Sequence, residues 1–505
     1  SGNVANGKAY GLAGPYEALA GKIHYAIDPK NPANDIITDI DKAATSSDGM
    51  VEFSADFYLI KPKNIESGNG AIFFEVGNRG RPGALTRFNR AADSLHPISD
   101  KEMGDGFLLR EGFSLLWVGW QHDTPLVEGR LRTYPPIATN NGIPIEGLVR
   151  SDVIVTDKTY SHSLGNRDHI AYPAANPEDS RNRMTVRDGI SGIRRTIPRA
   201  DWQFARMEGS QVIPDSTMVY LKTGFEPEHI YDIIYVAENP PLAGLGLAAI
   251  RETISQLKYG STEQLGIPSG TINRALTYGS SQSGRLLRTF LYDGFNEDTQ
   301  NKKVFDGIIA HIAGAARGSF NQRFAQASRA PGGAFEYPNR IFPFADTLQT
   351  DPTTGISDGL LTGISTDIMP KLFYTNSSTE YWRSAGALTH TSIDGKQDLQ
   401  LLDNVRTYDF AGTQHGPAVF PPELGDQKHQ PNPNDYRWFL RGLLIAMDRW
   451  ITDDILPPPS RYSTLGKHTL VEMADFAFPD VPGVSVLNEV SVSHALDFGP
   501  DLALN

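Results

Sequence analysis

The chain has 505 residues, 39% of them hydrophobic and 21% charged, and a net charge of -13 at pH 7. That length and balance suit a globular protein with a large core. The negative charge argues against a nucleic-acid surface, which needs clustered Lys and Arg, and favours neutral or cationic ligands over polyanions. The sequence has no cysteine, so disulfides, thiolate catalysis and Cys-based zinc or iron–sulfur sites are excluded.

No apolar stretch approaches the length of a membrane span. The chain opens on "SGNVANGKAY" with no methionine, as a processed or trimmed chain does, so a signal peptide would leave no trace. The first predicted element is the strand "MVEFSADFYLI", whose alternation puts Val51, Phe53, Ala55, Phe57 and Leu59 on one face. The runs "AIFFEV" and "FSLLWVGW" follow; they lack alternation, as buried parallel strands do. From about Gln121 to Leu221 the sequence turns polar and irregular, and it reads as an insertion that roofs the core, with Trp202 and several tyrosines as pocket walls.

Strand and helix then alternate. "YDIIYVA" reads as a strand, "GLGLAAIRETISQLKYG" as a helix, "RALTY" as a strand, "GRLLRTFLYDGF" as a helix and "FDGIIAHIAGA" as a strand. "KLFYTN" and "VRTYDFAG" are further strands, and "YRWFLRGLLIAMDRWITDD" is a helix stopped by "PPP". Such alternation predicts an α/β fold with a mostly parallel central sheet and helices on both faces. The expected organisation is an N-terminal β segment with the first core strands (1–120), a lid-like insertion (121–221) and the main part of the core (222–505).

Three serines crowd the stretch "YGSSQSGR" between a short strand and an amphipathic helix. Strand, sharp turn and helix in that order form the setting of a nucleophile elbow. In so tight a turn the residues two before and two after the nucleophile nearly touch, and both must be small. Ser280 would put Tyr278 in the first position, and Ser283 would put Arg285 in the second. Only Ser281, flanked by Gly279 and Ser283, meets the rule. The competing reading is a helix N-terminus capped by serine.

A serine needs a base, and in this architecture the acid and then the histidine follow it in the chain, each on a loop after a strand. Of the later histidines, His311 lies inside a strand and reads as structural. His415, in "AGTQHGP" directly after "VRTYDF", sits where the base belongs, with His390 as competitor. Glu380, just past "KLFYTN", is the candidate acid. Asp394, Asp398, Asp403 and Asp409 are rivals, Asp358 precedes the strand, and a helix N-terminal charge is the plainer explanation of Glu380. For an oxyanion hole, the N–H of Gln282 is one donor, and Asn78, Arg79 or Gly80 in the loop "EVGNRGR" is the other.

Taken together and in order, "EVGNRGR", "GSSQSGR", "NSSTEYW" and "FAGTQHG" resemble the large bacterial α/β-hydrolase-domain proteins, serine esterases of which many are exported. The resemblance runs from "DPKNPANDIITDIDKA" past His415. It implies an α/β-hydrolase fold and a Ser281–Glu380–His415 triad; the sequence leaves the compartment unknown, and the resemblance favours a periplasmic or extracellular one. The elbow is distantly similar to those of tannase, feruloyl and glucuronoyl esterases. Those enzymes carry a cysteine before the nucleophile, where this chain has Ser280. In tannase and the feruloyl esterases that cysteine bridges to one beside the histidine, where this chain has Gly416.

The expected activity is therefore hydrolysis of a carboxylic ester through an acyl-enzyme, with no cofactor and no metal. The substrate is a small or oligomeric ester, and a monomer or small homo-oligomer is expected. Phenolic or acidic-sugar esters and acyl transfer are alternatives within that chemistry. From other classes, a hydrolase fold used only for binding is one alternative. A dinucleotide enzyme is another, because "GLGLAA" echoes a phosphate-binding fingerprint. Against the latter, "ENPPLA" separates those glycines from their strand, and close helix packing explains them better. No H-E-x-x-H pattern or clustered ligand spacing supports metal-dependent hydrolysis.

Overall fold

The computed structural model describes residues 1–329, 341–425, 429–484 and 486. In chain order the main strands are β1 (Tyr16–Ile27), β2 (Val51–Pro62), β3 (Ala71–Glu75) and β4 (Ser114–Val118). Then come β5 (Glu146–Val153), β6 (Arg183–Asp188), β7 (Met218–Phe225) and β8 (His229–Glu238). The last four are β9 (Arg274–Ser280), β10 (Gly307–His311), β11 (Lys371–Ser377) and β12 (Val405–Phe410). The helices used below are α1 (Ala84–Phe88), α2 (Leu245–Tyr259), α3 (Gln282–Tyr292), α4 (Ser378–Arg383) and α5 (Arg437–Thr452).

A ten-stranded central sheet runs in the order β1-β2-β4-β3-β9-β10-β11-β12, extended by the short strands Gly2–Asn3 and Thr133–Tyr134. From β4 to β12 every neighbouring pair is parallel, while β1, β2 and β4 pair antiparallel. The apolar runs of β3 and β4 lack alternation because both lie inside this sheet with every residue buried. In β2, the predicted row Val51, Phe53, Ala55, Phe57 and Leu59 shares one apolar cluster with Leu247 and Ile250 of α2 and Leu286 and Phe290 of α3. Tyr58 and Ile60, pointing the other way, join Phe88 of α1 and Leu440 and Leu444 of α5 in a second cluster.

A third cluster gathers Val149, Met184, Trp202, Val219, Ile233 and Tyr235. It belongs to accessory sheets: β8 lies between β6 and β5 in a four-stranded antiparallel sheet, and β7 centres a three-stranded one. Two expectations change here. "YDIIYVA" is a strand, but it pairs antiparallel outside the central sheet. Trp202 is 2% exposed, stacked edge-on to Phe204 and covered by Arg199, so it is core and not pocket wall.

Six residues, 239–244, separate the end of β8 from the start of α2, across the "ENPPLA" stretch. At Gly246 an added Cβ would lie far inside contact distance of the Trp120 carbonyl oxygen, so the helix packs backbone to backbone there. Among the described residues, no helix is long and apolar enough to cross a membrane.

Candidate active site

The parallel strands β9, β11 and β12 end at the same edge of the sheet, and each delivers one candidate residue just beyond its carboxyl end. Ser281 follows β9 and is the N-cap of α3, with φ 60° and ψ -113°. Its N–H donates to His311 O (2.8 Å), and its carbonyl accepts from Arg285 N (3.0 Å). The turn is as tight as the small-residue rule requires: a Cβ on Gly279 would lie 2.6 Å from the carbonyl carbon of Ser283. A non-glycine residue at positive φ costs energy and persists only where its surroundings hold it. Here β9 and α3 hold it, and the Ser281 hydroxyl is carried clear of the backbone.

Glu380 is the third residue of α4 and is fully buried. Its Oε2 accepts from Ser377 N (2.9 Å) and Ser377 Oγ (2.5 Å), closing a capping box at the start of the helix. Its Oε1 lies 2.6 Å from His415 Nδ1. The opposite ring nitrogen, Nε2, is 2.9 Å from Ser281 Oγ. The structure thus brings Ser281, His415 and Glu380 into one hydrogen-bonded line, and the carboxylate is at once a helix N-terminal charge and the partner of the imidazole.

The histidine loop is pinned by contacts that the sequence did not reveal. Ser378 Oγ accepts from Gly412 N (3.0 Å) and Thr379 Oγ1 from His415 N (3.1 Å). The Tyr436 hydroxyl donates to His415 O (2.9 Å), and Asn432 N donates to Gln414 Oε1 (2.9 Å). One signal was available. Ser377-Ser378-Thr379-Glu380 has the spacing of a capping box, which fixes a short helix at this point and turns Ser378 and Thr379 towards the loop.

The rival residues are engaged elsewhere. His311 is buried in β10 with Nδ1 2.8 Å from Thr375 Oγ1, and burial holds its imidazole well below the ordinary histidine range. His390 Nε2 contacts the Tyr381 hydroxyl (2.8 Å), and burial lowers its imidazole to about 4. Asp409 accepts from Ser463 N (3.2 Å), and burial pushes its carboxyl up to about 6. Asp394 accepts from Ser392 Oγ (2.6 Å), Asp398 from Leu465 and Gly466 N–H groups, and Asp358 from the Tyr292 hydroxyl (2.7 Å). Asp403 precedes β12, at the opposite end of that strand from His415. His494 lies outside the described residues.

Gln282 opens α3, so its N–H has no partner within the helix. The loop after β3 lies beside it: Asn78 Nδ2 donates to Ser280 O (3.2 Å). Within that loop the Arg79 N–H is already committed to Gln121 Oε1 (3.1 Å), and Gly80 O accepts from Leu131 N (3.0 Å). Glu75 anchors the same loop by accepting from Gly83 N (2.7 Å), Ala84 N (2.6 Å) and Trp117 Nε1.

The model of the alpha/beta hydrolase domain family matches residues 184–476, more than half of the chain, and the protein belongs to that family. Membership makes it a hydrolase. No curated protein and no solved structure matches the chain.

Proposed function

We propose that the protein is a serine esterase that cleaves a carboxylic ester through an acyl-enzyme. The observation that carries this reading is the relay of 2.9 Å from Ser281 Oγ to His415 Nε2 and 2.6 Å from His415 Nδ1 to Glu380 Oε1. A serine hydroxyl becomes a useful nucleophile when a neighbouring imidazole takes its proton as it attacks. In the first step Ser281 Oγ bonds to the ester carbonyl carbon while its proton passes to His415 Nε2. Glu380 accepts the Nδ1–H bond, fixes the tautomer and stabilises the imidazolium.

The negative charge on the former carbonyl oxygen is met by the Gln282 N–H and by the N–H of Asn78 or Gly80, since the Arg79 N–H is taken by Gln121. His415 then returns the proton to the leaving alcohol oxygen as the carbon–oxygen bond breaks. Water, deprotonated by His415, attacks the acyl-Ser281 ester and releases the acid. All of these atoms come from the chain and the substrate, so the proposal invokes no cofactor.

Two further parts of the reading concern architecture. Helices flank the sheet on both faces, consistent with α2 and α3 in one apolar cluster and α1 and α5 in the other. The segment from about 121 to 221, with its separate third cluster, acts as a lid over the site, and the adjoining β8 extends it. Export to the periplasm or medium fits the resemblance described above.

Ser281→Ala tests the chemistry. Turnover of a 4-nitrophenyl ester should fall by about three orders of magnitude or more, leaving only the contribution of binding and oxyanion donors. Undiminished turnover in the variant would remove Ser281 from the mechanism.

A further inference from the structure

In a chain of net charge -13, the cavity beside Ser280 is lined by Arg79, Arg81, Arg87, Arg130 and Arg167. Its volume is about 340 Å³, the size of a small-molecule subsite. It reaches the residue before the nucleophile: Ser280 lines it, Arg79 donates to Asn78 Oδ1 (2.8 Å), and Asn78 Nδ2 donates to the carbonyl of Ser280.

The carboxylates at its edge compensate the positive charge only in part: Glu75 acts on Arg87 and Asp168 on Arg130. Asp93 is paired with Arg81. Glu75 is buried and occupied by the Gly83 and Ala84 N–H groups, and burial pushes its carboxyl up, which disfavours its charge. Asp168 is exposed to solvent, where an ion pair is screened. Among the described residues, Arg79, Arg87, Arg130 and Arg167 make no ion pair with a carboxylate, and the buried Nε atoms of Arg79, Arg87 and Arg130 have no hydrogen-bond partner. Burial and then the neighbouring Arg167 hold the Arg79 guanidinium down to about 10, with Arg130 adding to the repulsion against the pull of Asp123.

Like charges kept together inside a concave wall are stabilised by an anion between them. The planar fork of arginine matches a carboxylate with two parallel N–H···O bonds. We propose that this cavity is the subsite for a free carboxylate on the substrate, so that the ester cleaved at Ser281 is an acidic one held by Arg79, Arg130 and Arg167. The proposal rests on the serine-esterase reading. It also reverses the preference for neutral or cationic ligands that net charge alone suggests, because the field at a site is set by the nearest groups and not by the sum over the chain.

The carboxylate can sit on the acyl or on the alcohol side, and two matched pairs of esters separate these. The acyl pair is 4-nitrophenyl hydrogen adipate against 4-nitrophenyl hexanoate; the alcohol pair is 6-acetoxyhexanoate against hexyl acetate. Each is assayed with the unaltered chain and with an Arg130→Gln/Arg167→Gln variant, at low and high salt. The readout is the ratio of kcat/KM for the charged ester over its neutral partner.

The expected result is a ratio of about ten or more in one pair, carried mainly by KM, reduced by salt and falling towards one in the variant. A ratio at or below one in both pairs, or a ratio that the variant leaves untouched, overturns the proposal. Arg167→Gln alone, at an exposed side chain, serves if the double variant does not fold. Failure of the esterase reading looks different: none of the four esters turns over. Calorimetry with adipate then decides the cavity, with binding lost in the variant as the supporting result and no binding as the contrary one.

Discussion

Glu380 serves two neighbours with its two oxygens. Oε2 closes the capping box of α4, and Oε1 receives the imidazole of His415. The two reasons for a glutamate at this position therefore do not compete, and a surface role is ruled out by its complete burial. Glutamine keeps the length of the side chain, and with its single oxygen turned to Ser377 it still accepts there, so Glu380→Gln preserves the cap while its amide NH2 faces His415. It cannot stabilise an imidazolium with a full charge, and esterase turnover should drop by about two to four orders of magnitude while the melting temperature stays within a few degrees. Asp394→Asn, at a carboxylate bonded to Ser392, should leave turnover within about twofold. The reverse ranking in steady-state assays would reassign the acid.

At the scale of elements, the elbow is a contact between the end of β9 and the first turn of α3. Gly279 exists because the backbone of Ser283 occupies the space of a Cβ. In Gly279→Ala the strand and helix must part, which costs about 1–3 kcal/mol and displaces Ser281 from His415. A urea titration should show that loss, with turnover falling by more than the fraction unfolded accounts for; an unchanged midpoint and rate would mean that the turn is looser than described.

This element was legible in the sequence because a steric rule acting over five residues singles out one serine of three. The parallel strands were legible for a similar reason, since apolar runs without alternation, Ala71–Phe74 and Leu115–Val118, need burial on both faces. Sheet membership was not. "YDIIYVA" has the composition of a core strand, and only its long-range partners, β5 and β6, put it in an accessory sheet. Trp202 likewise reads as a pocket aromatic until Phe204 and Arg199 are seen to cover it. The contacts of Ser378, Thr379 and Tyr436 with the histidine loop span 21 to 36 residues, and no local pattern announces them.

Over the whole molecule, buried carboxylates shape stability against pH. Asp346 is buried with Tyr374 donating to its Oδ1 (2.6 Å), and burial pushes its carboxyl up to about 6 despite the nearby Arg288. Asp293 and Asp409 are raised to about 6 in the same way. A carboxyl raised on folding keeps its proton where the unfolded chain has lost it. Its contribution is therefore fully present below about pH 4 and is lost as pH rises through about 6. For Asp346 this is on the order of 3 kcal/mol. Asp346→Asn keeps an acceptor for Tyr374 and removes the titration. Its melting temperature at pH 7, relative to its own value at pH 4.5, should exceed the same difference in the unaltered chain, and identical slopes would contradict the assignment.

Ser281 as the nucleophile is the claim on which the other functional readings depend, and mass spectrometry after treatment with a serine-directed fluorophosphonate tests it most directly. One adduct per chain, mapped to the peptide holding Ser281 and lost or strongly slowed in His415→Ala, is the predicted result. An unlabelled folded chain, or an adduct on Ser280 or Ser283 with Ser281 untouched, would contradict it.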